Sequence, residues 1–250
     1  MKHTGNTIFI TGGGSGIGRA LAEASQKAGN TVIISGRRKD KLDEVTAANP
    51  GMHSIVLDVE SPESIASVAK ELIAKFPSLN TVINNAGIMS MDGVDKPVDD
   101  KQVTSIVTTN LLGPIRITSA FIEHLKAQPA AAIAYVTSGL AFTPLAPTAT
   151  YNATKAAIHS YALSQRYLLQ GSSVKVIEIA PPYVQTELMG EHQKADPRAM
   201  PLDEYIAETM KLLNEGHDEI LVERVLPLRN NAGPNEHAFV KQFNDMFSGH

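Results

Sequence analysis

Short apolar runs alternate with longer amphipathic stretches along most of the chain. The short runs are rich in Val and Ile and nearly continuous in apolarity, which is typical of strands covered on both faces. The predicted strands are Thr7–Thr11, Thr31–Ser35, His53–Asp58, Thr81–Asn84, Ala131–Thr137 and Val174–Ala180. The predicted helices are Gly16–Ala28, Lys39–Ala48, Pro62–Phe76, Asp99–Leu125, Asn152–Gln170 and Pro201–Asn214.

This alternation predicts an α/β fold, namely a single Rossmann-type, doubly wound parallel sheet flanked by helices on both faces. At this length we expect one domain, 1–250, and ligands should bind outside the carboxyl ends of the strands. The alternation ends at Pro181, and the residues that follow show no clear period. We expect 181–214 to be a substrate lid, with an ordinary surface loop as the alternative. Glu219–Val222 is a candidate last strand.

A glycine-rich turn joins the first predicted strand to the first helix. In Thr11-Gly-Gly-Gly-Ser-Gly-Ile-Gly18, glycine permits a tight turn and lets the backbone approach a pyrophosphate at the helix N-terminus. The spacing is Gly-x-x-x-Gly-x-Gly, and its place between a strand and a helix favours a dinucleotide site over a plain connection. The expected contacts are Gly12, Ser15, Gly16, Ile17 and Gly18.

Two arginines follow the second predicted strand and bear on the choice of cofactor. Gly36 stands where an acidic residue usually binds the ribose 2′-hydroxyl, and Arg37 and Arg38 come directly after it. Arginine binds phosphate bidentately, so the pair favours a 2′-phosphate and therefore NADP(H) over NAD(H). The alternative is that both are solvated charges, and Asp40 is the nearby residue that would favour NAD(H).

A tyrosine and a lysine lie one turn apart in Tyr151-Asn-Ala-Thr-Lys155, and Ser138 ends the preceding strand. The Lys155 ammonium and a nicotinamide cation would lower the pKa of Tyr151 from its ordinary value near 10. Tyr151 would then act as acid in reduction and as base in oxidation, while Ser138 holds the substrate oxygen. With a nucleotide cofactor, this trio predicts hydride transfer.

Composition excludes several other classes. The net charge of −4 gives no general attraction to nucleic acid or an anionic membrane, and the absence of Cys excludes disulfides and thiolate metal sites. No apolar run approaches the roughly 18 residues of a membrane span, and no signal peptide is recognised. The eight His residues form no metal motif, so no metal is expected. We expect a cytoplasmic protein with a small-molecule substrate and neither nucleic-acid nor membrane partners.

Taken together, these motifs resemble the short-chain dehydrogenase/reductase family along nearly the whole chain. The Pro181-Pro182 pair and the Ser-Gly-Arg-Arg strand end are most similar to a bacterial branch named for an oxidoreductase of the D-alanyl lipoteichoic acid operon. The resemblance implies NAD(P)-dependent oxidoreduction of a carbonyl/alcohol pair. The matching pieces are Thr11–Gly18, Asn84-Asn-Ala-Gly87, Asn110, Ser138, Tyr151-x-x-x-Lys155 and Pro181–Thr186.

The resemblance also implies roles for residues that the motifs alone leave open. Asn110 would kink its helix and link Lys155 to solvent through water, completing a catalytic group with Ser138 and Tyr151. Asp58 and Val59 would contact the adenine. The remaining cofactor contacts would be Asn85, Ala86, Gly87, Tyr151, Lys155, Val184 and Thr186.

Two departures from the family pattern concern the substrate side and assembly. Pro182 replaces the usual Gly and stiffens the entry to the lid, and the usual C-terminal strand is missing after Glu219. In the family, the long helices around the catalytic strand pair across a two-fold axis, and small apolar residues on Asn152–Gln170 suit such a contact. A homodimer is therefore favoured over a tetramer, unless those residues pack inside the monomer.

The substrate prediction rests on residues placed after Ser138 and after Pro182. They are largely apolar and uncharged, which favours an alkyl or aryl ketone or aldehyde, unless several simply pack the lid. We predict an NADPH-dependent carbonyl reductase; the alternatives are a silent NAD(P)-sensing regulator and a sugar-nucleotide epimerase, which would need a longer chain. The predicted pocket residues are Leu140, Phe142, Leu145, Tyr183, Leu188 and Met189.

Overall fold

A single seven-stranded sheet organises the described part of the chain. The computed structural model describes residues 4–234 and 236–247, so the ends of the predicted 1–250 domain lie outside it. Every strand pair is parallel, in the order β3-β2-β1-β4-β5-β6-β7, which confirms the predicted α/β, Rossmann-type fold. The strands are β1 Thr7–Thr11, β2 Thr31–Gly36, β3 His53–Val56, β4 Leu79–Asn84, β5 Ala131–Val136, β6 Val174–Ile179 and β7 Glu219–Ile220.

Helices cover both faces of the sheet and create two apolar cores. One core lies against α1, α2 and α8, and the other against α3, α5 and α6. The helices are α1 Gly16–Lys27, α2 Lys39–Ala48, α3 Pro62–Lys75, α4 Asp100–Val107, α5 Gly113–Lys126, α6 Ala149–Leu168, α7 Glu191–Lys194, α8 Leu202–Glu215, α9 Leu226–Asn230 and α10 Glu236–Asp245.

The central strand β1 shows how the apolar runs produce this layering. Successive side chains of a strand point to opposite faces, so Ile8 and Ile10 enter one core and Phe9 enters the other. All three are fully buried, and the Phe9 ring lies 5.5 Å from that of Phe121 on α5. A strand buried on both faces must be apolar throughout, which is why the pattern was continuous rather than alternating.

The long helix predicted over Asp99–Leu125 is interrupted. A π-helical turn, Thr108–Leu112, separates α4 from α5 and holds Asn110. Pro114 has no N–H to donate to the carbonyl of residue 110, so the α-helical bonding cannot continue through this point. Single π turns of this kind occur frequently at functional sites.

The other differences lie around α6 and at the C-terminus. Helix α6 begins at Ala149, so Tyr151 lies inside its first turn rather than before it. Its N-terminus is capped from another loop, since Asp92 Oδ2 accepts a 2.7 Å hydrogen bond from the Thr150 amide. The candidate strand at Glu219 is two residues long and is followed by α9 and α10, which the sequence pattern did not predict.

The last described segment, α10 and the two residues after it, contacts two loops. Asn244 of α10 accepts a hydrogen bond from the Ala146 amide and donates one to the Pro144 carbonyl at 3.0 Å. Arg198, in the segment after β6, lies over the Phe247 ring at 5.6 Å. Among the described helices, none is both long and apolar enough to cross a membrane.

Candidate active site

One cleft of about 530 Å³ opens at the carboxyl ends of the strands, where parallel sheets of this type bind ligands. It brings together three catalytic residues proposed from the sequence, Ser138, Tyr151 and Lys155. It also brings together every cofactor contact proposed from the sequence. These are Gly12, Ser15, Gly16, Ile17, Gly18, Arg37, Arg38, Asp58, Val59, Asn85, Ala86, Gly87, Tyr151, Lys155, Val184 and Thr186.

The glycine turn lies at the floor of the cleft, and its geometry requires glycine. Gly12 and Gly16 have φ angles of +69° and +53°, a region that favours glycine. A Cβ at Gly18 would lie 2.3 Å from the Gly12 carbonyl oxygen and from the Asn85 side chain. Asn85 Nδ2 in turn donates to the Thr11 carbonyl at 2.9 Å, which ties the ends of β1 and β4 together. The turn therefore exposes backbone and the α1 N-terminus to a bound anion.

Three cations surround the end of the cleft beside β2. Arg37 Nη1 lies 3.8 Å from Glu60 Oε1, and Arg38 is the N-cap residue before α2 and makes no side-chain capping hydrogen bond. Lys41, which the sequence analysis did not select, also lines this part of the cleft, with its Cβ near Gly14. Lys41 follows Arg38 by three residues, and residues at that spacing share one face of a helix, so the sequence could have indicated that Lys41 lies beside Arg38. This end is suited to an anionic group such as a 2′-phosphate.

The proton-transfer trio is almost completely buried. Tyr151 and Lys155 are 6% and 5% exposed, and Lys155 Nζ lies 5.5 Å from the Tyr151 ring centroid. Burial raises the pKa of Tyr151 to about 12, against a smaller lowering by the Ser138 hydroxyl. The predicted lowering of the Tyr151 pKa is therefore reversed in the chain alone, because desolvation outweighs the neighbouring groups. Burial also lowers the pKa of Lys155 to about 8.

Lys155 is held by backbone rather than by a carboxylate. Its Nζ donates a 2.8 Å hydrogen bond to the carbonyl of Val136, the last residue of β5. Ser138 follows Val136 by two residues, so the end of β5 fixes the positions of both the lysine ammonium and the serine hydroxyl. A neutral partner leaves the lysine charge uncompensated within the protein, which suits a group that changes its charge during a reaction.

Asn110 lies beside this trio but outside the cleft lining. Its amide accepts from the Ile88 N–H at 2.9 Å and donates to the Ile88 carbonyl at 2.8 Å. A third contact reaches Thr154 Oγ1 at 3.3 Å, one residue before Lys155. Asn110 thus joins the loop after β4 to α6, and its water link to Lys155 stays a prediction.

The six predicted pocket residues do not form one surface. Leu188 lines the cleft, whereas Leu140 lines a separate apolar groove of about 450 Å³ between the loop after β5, α6 and α10. Phe142 points away from both, because its ring packs edge-on to His159 at 5.0 Å and beneath Arg229 at 4.8 Å. The 3₁₀ turn Gly139–Ala141 redirects the chain after Ser138, so placement in sequence did not predict side-chain direction.

The other three predicted pocket residues are engaged in local contacts. The Leu145 carbonyl accepts from Asn152, the Tyr183 hydroxyl donates to Asp196 at 3.2 Å, and the Met189 amide donates to the Gln193 side chain. Gln193 is 4% exposed and also donates to Thr186 Oγ1 at 3.1 Å. The segment after β6 is therefore an internally bonded flap along one wall of the cleft. Lining residues that the sequence analysis missed here are Pro181, Pro182, Glu187 and Gln193.

Comparison with known proteins agrees with this geometry. A family model described as short chain dehydrogenase matches residues 6–197. The uncharacterized oxidoreductase DltE of Bacillus subtilis strain 168 is 40% identical over 234 residues, covering 92% of this chain and 93% of the relative. The chain belongs to the short-chain dehydrogenase/reductase family. It is accordingly an NAD(P)-dependent oxidoreductase.

Solved structures of short-chain dehydrogenases share the fold over nearly the full chain. One from Burkholderia cenocepacia J2315, in complex with NADP, gives a TM-score of 0.84 at 25% identity and covers 97% of this chain and 98% of its own. Another from Burkholderia phymatum, in complex with NAD, gives a TM-score of 0.82 at 20% identity and covers 97% and 96%. Because proteins of this fold hold either cofactor, the choice between NADP and NAD depends on this chain's own residues.

Proposed function

We propose that this enzyme is an NADPH-dependent carbonyl reductase, reversible as an alcohol dehydrogenase. The observation that carries the proposal is the buried Tyr151 phenol, which shares one cleft with Ser138, Lys155 and the glycine turn. A nucleotide-sensing regulator would need the glycine turn but not the other three. A silent sensor is therefore the weaker alternative.

Each residue of the trio has a distinct task in carbonyl reduction. When bound, a reduced nicotinamide would supply the hydride for the carbonyl carbon. Tyr151 donates its phenolic proton to the carbonyl oxygen. The Ser138 hydroxyl donates a hydrogen bond to the same oxygen, which stabilises the negative charge that develops there. The Lys155 ammonium stabilises the phenolate left on Tyr151 until a proton returns from solvent.

The preference for NADPH is supported by the charges beside β2. Arg37, Arg38 and Lys41 line the cleft where the ribose end of a dinucleotide extends from the glycine turn. Arg37 lies 3.8 Å from Glu60, and Lys41 lies 3.0 Å from Glu44. Among the described residues Arg38 has no ion pair, so it is the leading candidate for the 2′-phosphate, and Lys41 would have to exchange Glu44 for the phosphate. Replacing Arg38 and Lys41 with Ala should weaken NADPH binding on the order of 10-fold per lost contact, at the lower end for a charged hydrogen bond because the site is solvated. An equal loss for NADH would contradict this assignment.

The activity is tested with NADPH and a panel of ketones and aldehydes. Tyr151→Phe removes one hydroxyl and should lower kcat by about 10²–10⁴-fold while the Kd for NADPH stays within a small factor. Tyr161→Phe, on the same helix but outside the cleft, is the matched control and should retain wild-type turnover. NADPH binding without turnover of any carbonyl would favour the sensor.

The substrate we propose is a small, largely apolar ketone or aldehyde. Ile88, Met89 and Leu188 add apolar surface to the cleft, and the flap 181–200 is proposed as the lid that closes over the substrate. The remainder of the predicted lid, up to residue 214, belongs to α8, which packs in the core and therefore stays fixed. Comparing kcat/KM across the panel tests this substrate class. Faster turnover of phosphorylated or polyanionic carbonyls than of apolar ketones would contradict the proposal of an apolar substrate.

We also propose that the enzyme is a homodimer. Leu163, Tyr167 and Leu168 of α6 are 46%, 71% and 79% exposed, which is a large apolar face for one helix. This supports the pairing predicted from the family, in which two copies bury the same helices. Light scattering at micromolar concentration should give the mass of two chains; one chain would exclude assembly, and four would mean that a second interface also forms.

A further inference from the structure

A buried glutamate lies directly behind the catalytic trio. Glu178 occupies the position after Val174 and Val176 on the face of β6 that packs against α6, and it is fully buried. Its Oε1 accepts a 2.7 Å hydrogen bond from Thr137 Oγ1, and its Oε2 accepts one of 2.7 Å from His159 Nδ1. Both oxygens therefore have donors within the protein.

The two donors belong to the two elements that carry the catalytic residues. Thr137 stands between Val136, whose carbonyl holds Lys155, and Ser138. His159 lies one helical turn beyond Lys155 on the same side of α6. One carboxylate thus joins the strand end that bears Ser138 to the helix that bears Tyr151 and Lys155.

Stability alone gives little reason for a glutamate at this position. Burying a carboxylate costs several kcal/mol, and apolar replacements of buried ion pairs are often neutral or stabilising. The cost is increased by Glu219, which lies directly opposite Glu178 on β7, because like charges in that register repel. Arg229 forms a 3.0 Å ion pair with Glu219 and so offsets the charge of that carboxylate, but Arg229 is paired with Glu219 rather than with Glu178.

We propose that Glu178 is a positioning residue that fixes Ser138 and Lys155 relative to each other through Thr137 and His159. The inference rests on the proposed reductase activity. If this anchor is lost, the end of β5 shifts against α6, which lengthens the Lys155–Val136 contact and separates Ser138 from Tyr151. Small misplacements of this kind reduce turnover strongly, while the glycine turn and the cations beside β2, which would bind most of the dinucleotide, stay in place.

The test uses the full-length enzyme and the best substrate of the carbonyl panel. His159→Leu removes the donor to Glu178 and should lower kcat on the order of 10-fold, with the Kd for NADPH unchanged. His159→Asn places an amide N–H near the position of Nδ1 and should recover most of that loss. His124→Leu is the matched control, since His124 is also half-buried and bonds one backbone carbonyl, that of Leu79, far from the cleft. It should leave kcat unchanged.

A second readout does not depend on turnover. Burial lowers the pKa of Lys155, so a loosened anchor that admits water should raise it. Competitive labelling with acetic anhydride, read by mass spectrometry of the Lys155 peptide across pH, should show a higher midpoint in His159→Leu but not in His124→Leu. An enzyme inactive on every carbonyl would count against the proposed function, whereas this labelling still tests the anchor.

The outcomes separate positioning from general stability. Equal effects of His159→Leu and His124→Leu, or failure of His159→Asn to recover activity, would overturn the proposal. If His159→Leu does not fold, Glu178→Gln decides the question with the same two measurements, because it keeps the volume and removes one acceptor. Wild-type kcat and labelling in Glu178→Gln would equally overturn it.

Discussion

Replacing Lys155 with methionine should stabilise the protein while abolishing its activity. Lys155 is buried and bonds a neutral carbonyl, and burial lowers its pKa to about 8, from 10.5 for an exposed lysine. Below pH 8 the group is protonated in both the folded and the unfolded state, so the native state carries the full cost of a buried ammonium. That cost is about 3 kcal/mol, from which roughly 1 kcal/mol is subtracted for the lost hydrogen bond.

The sign of the pH dependence follows from the same shift. Between pH 8 and 10.5 the unfolded state binds more protons at this lysine than the native state, so the free energy of unfolding rises with pH. From pH 6 to pH 9.5 the wild type should gain about 2 kcal/mol that Lys155→Met does not gain. Tyr151 acts in the opposite direction but above this window, since its pKa is raised to about 12.

Urea unfolding of both proteins across this pH range measures the difference directly, because titrations common to the two chains cancel. Lys175→Met, at an exposed position of β6, is the matched control for removing one positive charge. A difference between wild type and Lys155→Met that stays constant from pH 6 to 9.5 would refute the argument that Lys155 is buried at a cost.

Two further predictions concern the turn and the helix start. Gly18→Ala should abolish NADPH binding, because its Cβ would lie 2.3 Å from the Gly12 carbonyl oxygen; fluorescence titration checks this, and wild-type affinity would mean that the turn adjusts freely. Asp92→Ala should lower the free energy of unfolding by about 1–2 kcal/mol, because the Thr150 amide loses its cap, whereas Asp92→Asn retains an acceptor and should cost less. Equal urea midpoints for the two Asp92 variants would contradict the capping role.

The cofactor half of the site could be predicted because a parallel sheet collects strand ends at one edge. Residues as distant in sequence as Gly12, Asn85 and Ser138 each follow a strand, so recognising the strands was sufficient to bring them together. The glycine turn and the Tyr151–Lys155 spacing are local, and local geometry fixes their directions.

The remaining features depend on contacts that no local pattern contains. The direction of Phe142 is set by a 3₁₀ turn and by two partners from other elements. Likewise, the hydrogen bond between His159 and Glu178 joins helix α6 to strand β6. Nothing in the sequence around either residue indicates that the two are partners. The helix break at Asn110 was expected only from the family resemblance, because the residue pattern alone predicted one continuous helix; Pro114 was the local signal for the break.

The contacts of the C-terminal segment imply that substrate specificity can change during evolution while the reaction type is kept. The proposed catalytic and cofactor contacts all lie upstream of residue 187, whereas Asn244 and Phe247 contact the loop after β5 and the flap after β6 from the far end of the chain. Mutations in this C-terminal segment can reshape the substrate walls without touching a catalytic or cofactor contact. Selection for a new substrate is therefore free to act there first, and libraries for changing specificity are best concentrated on 222–247.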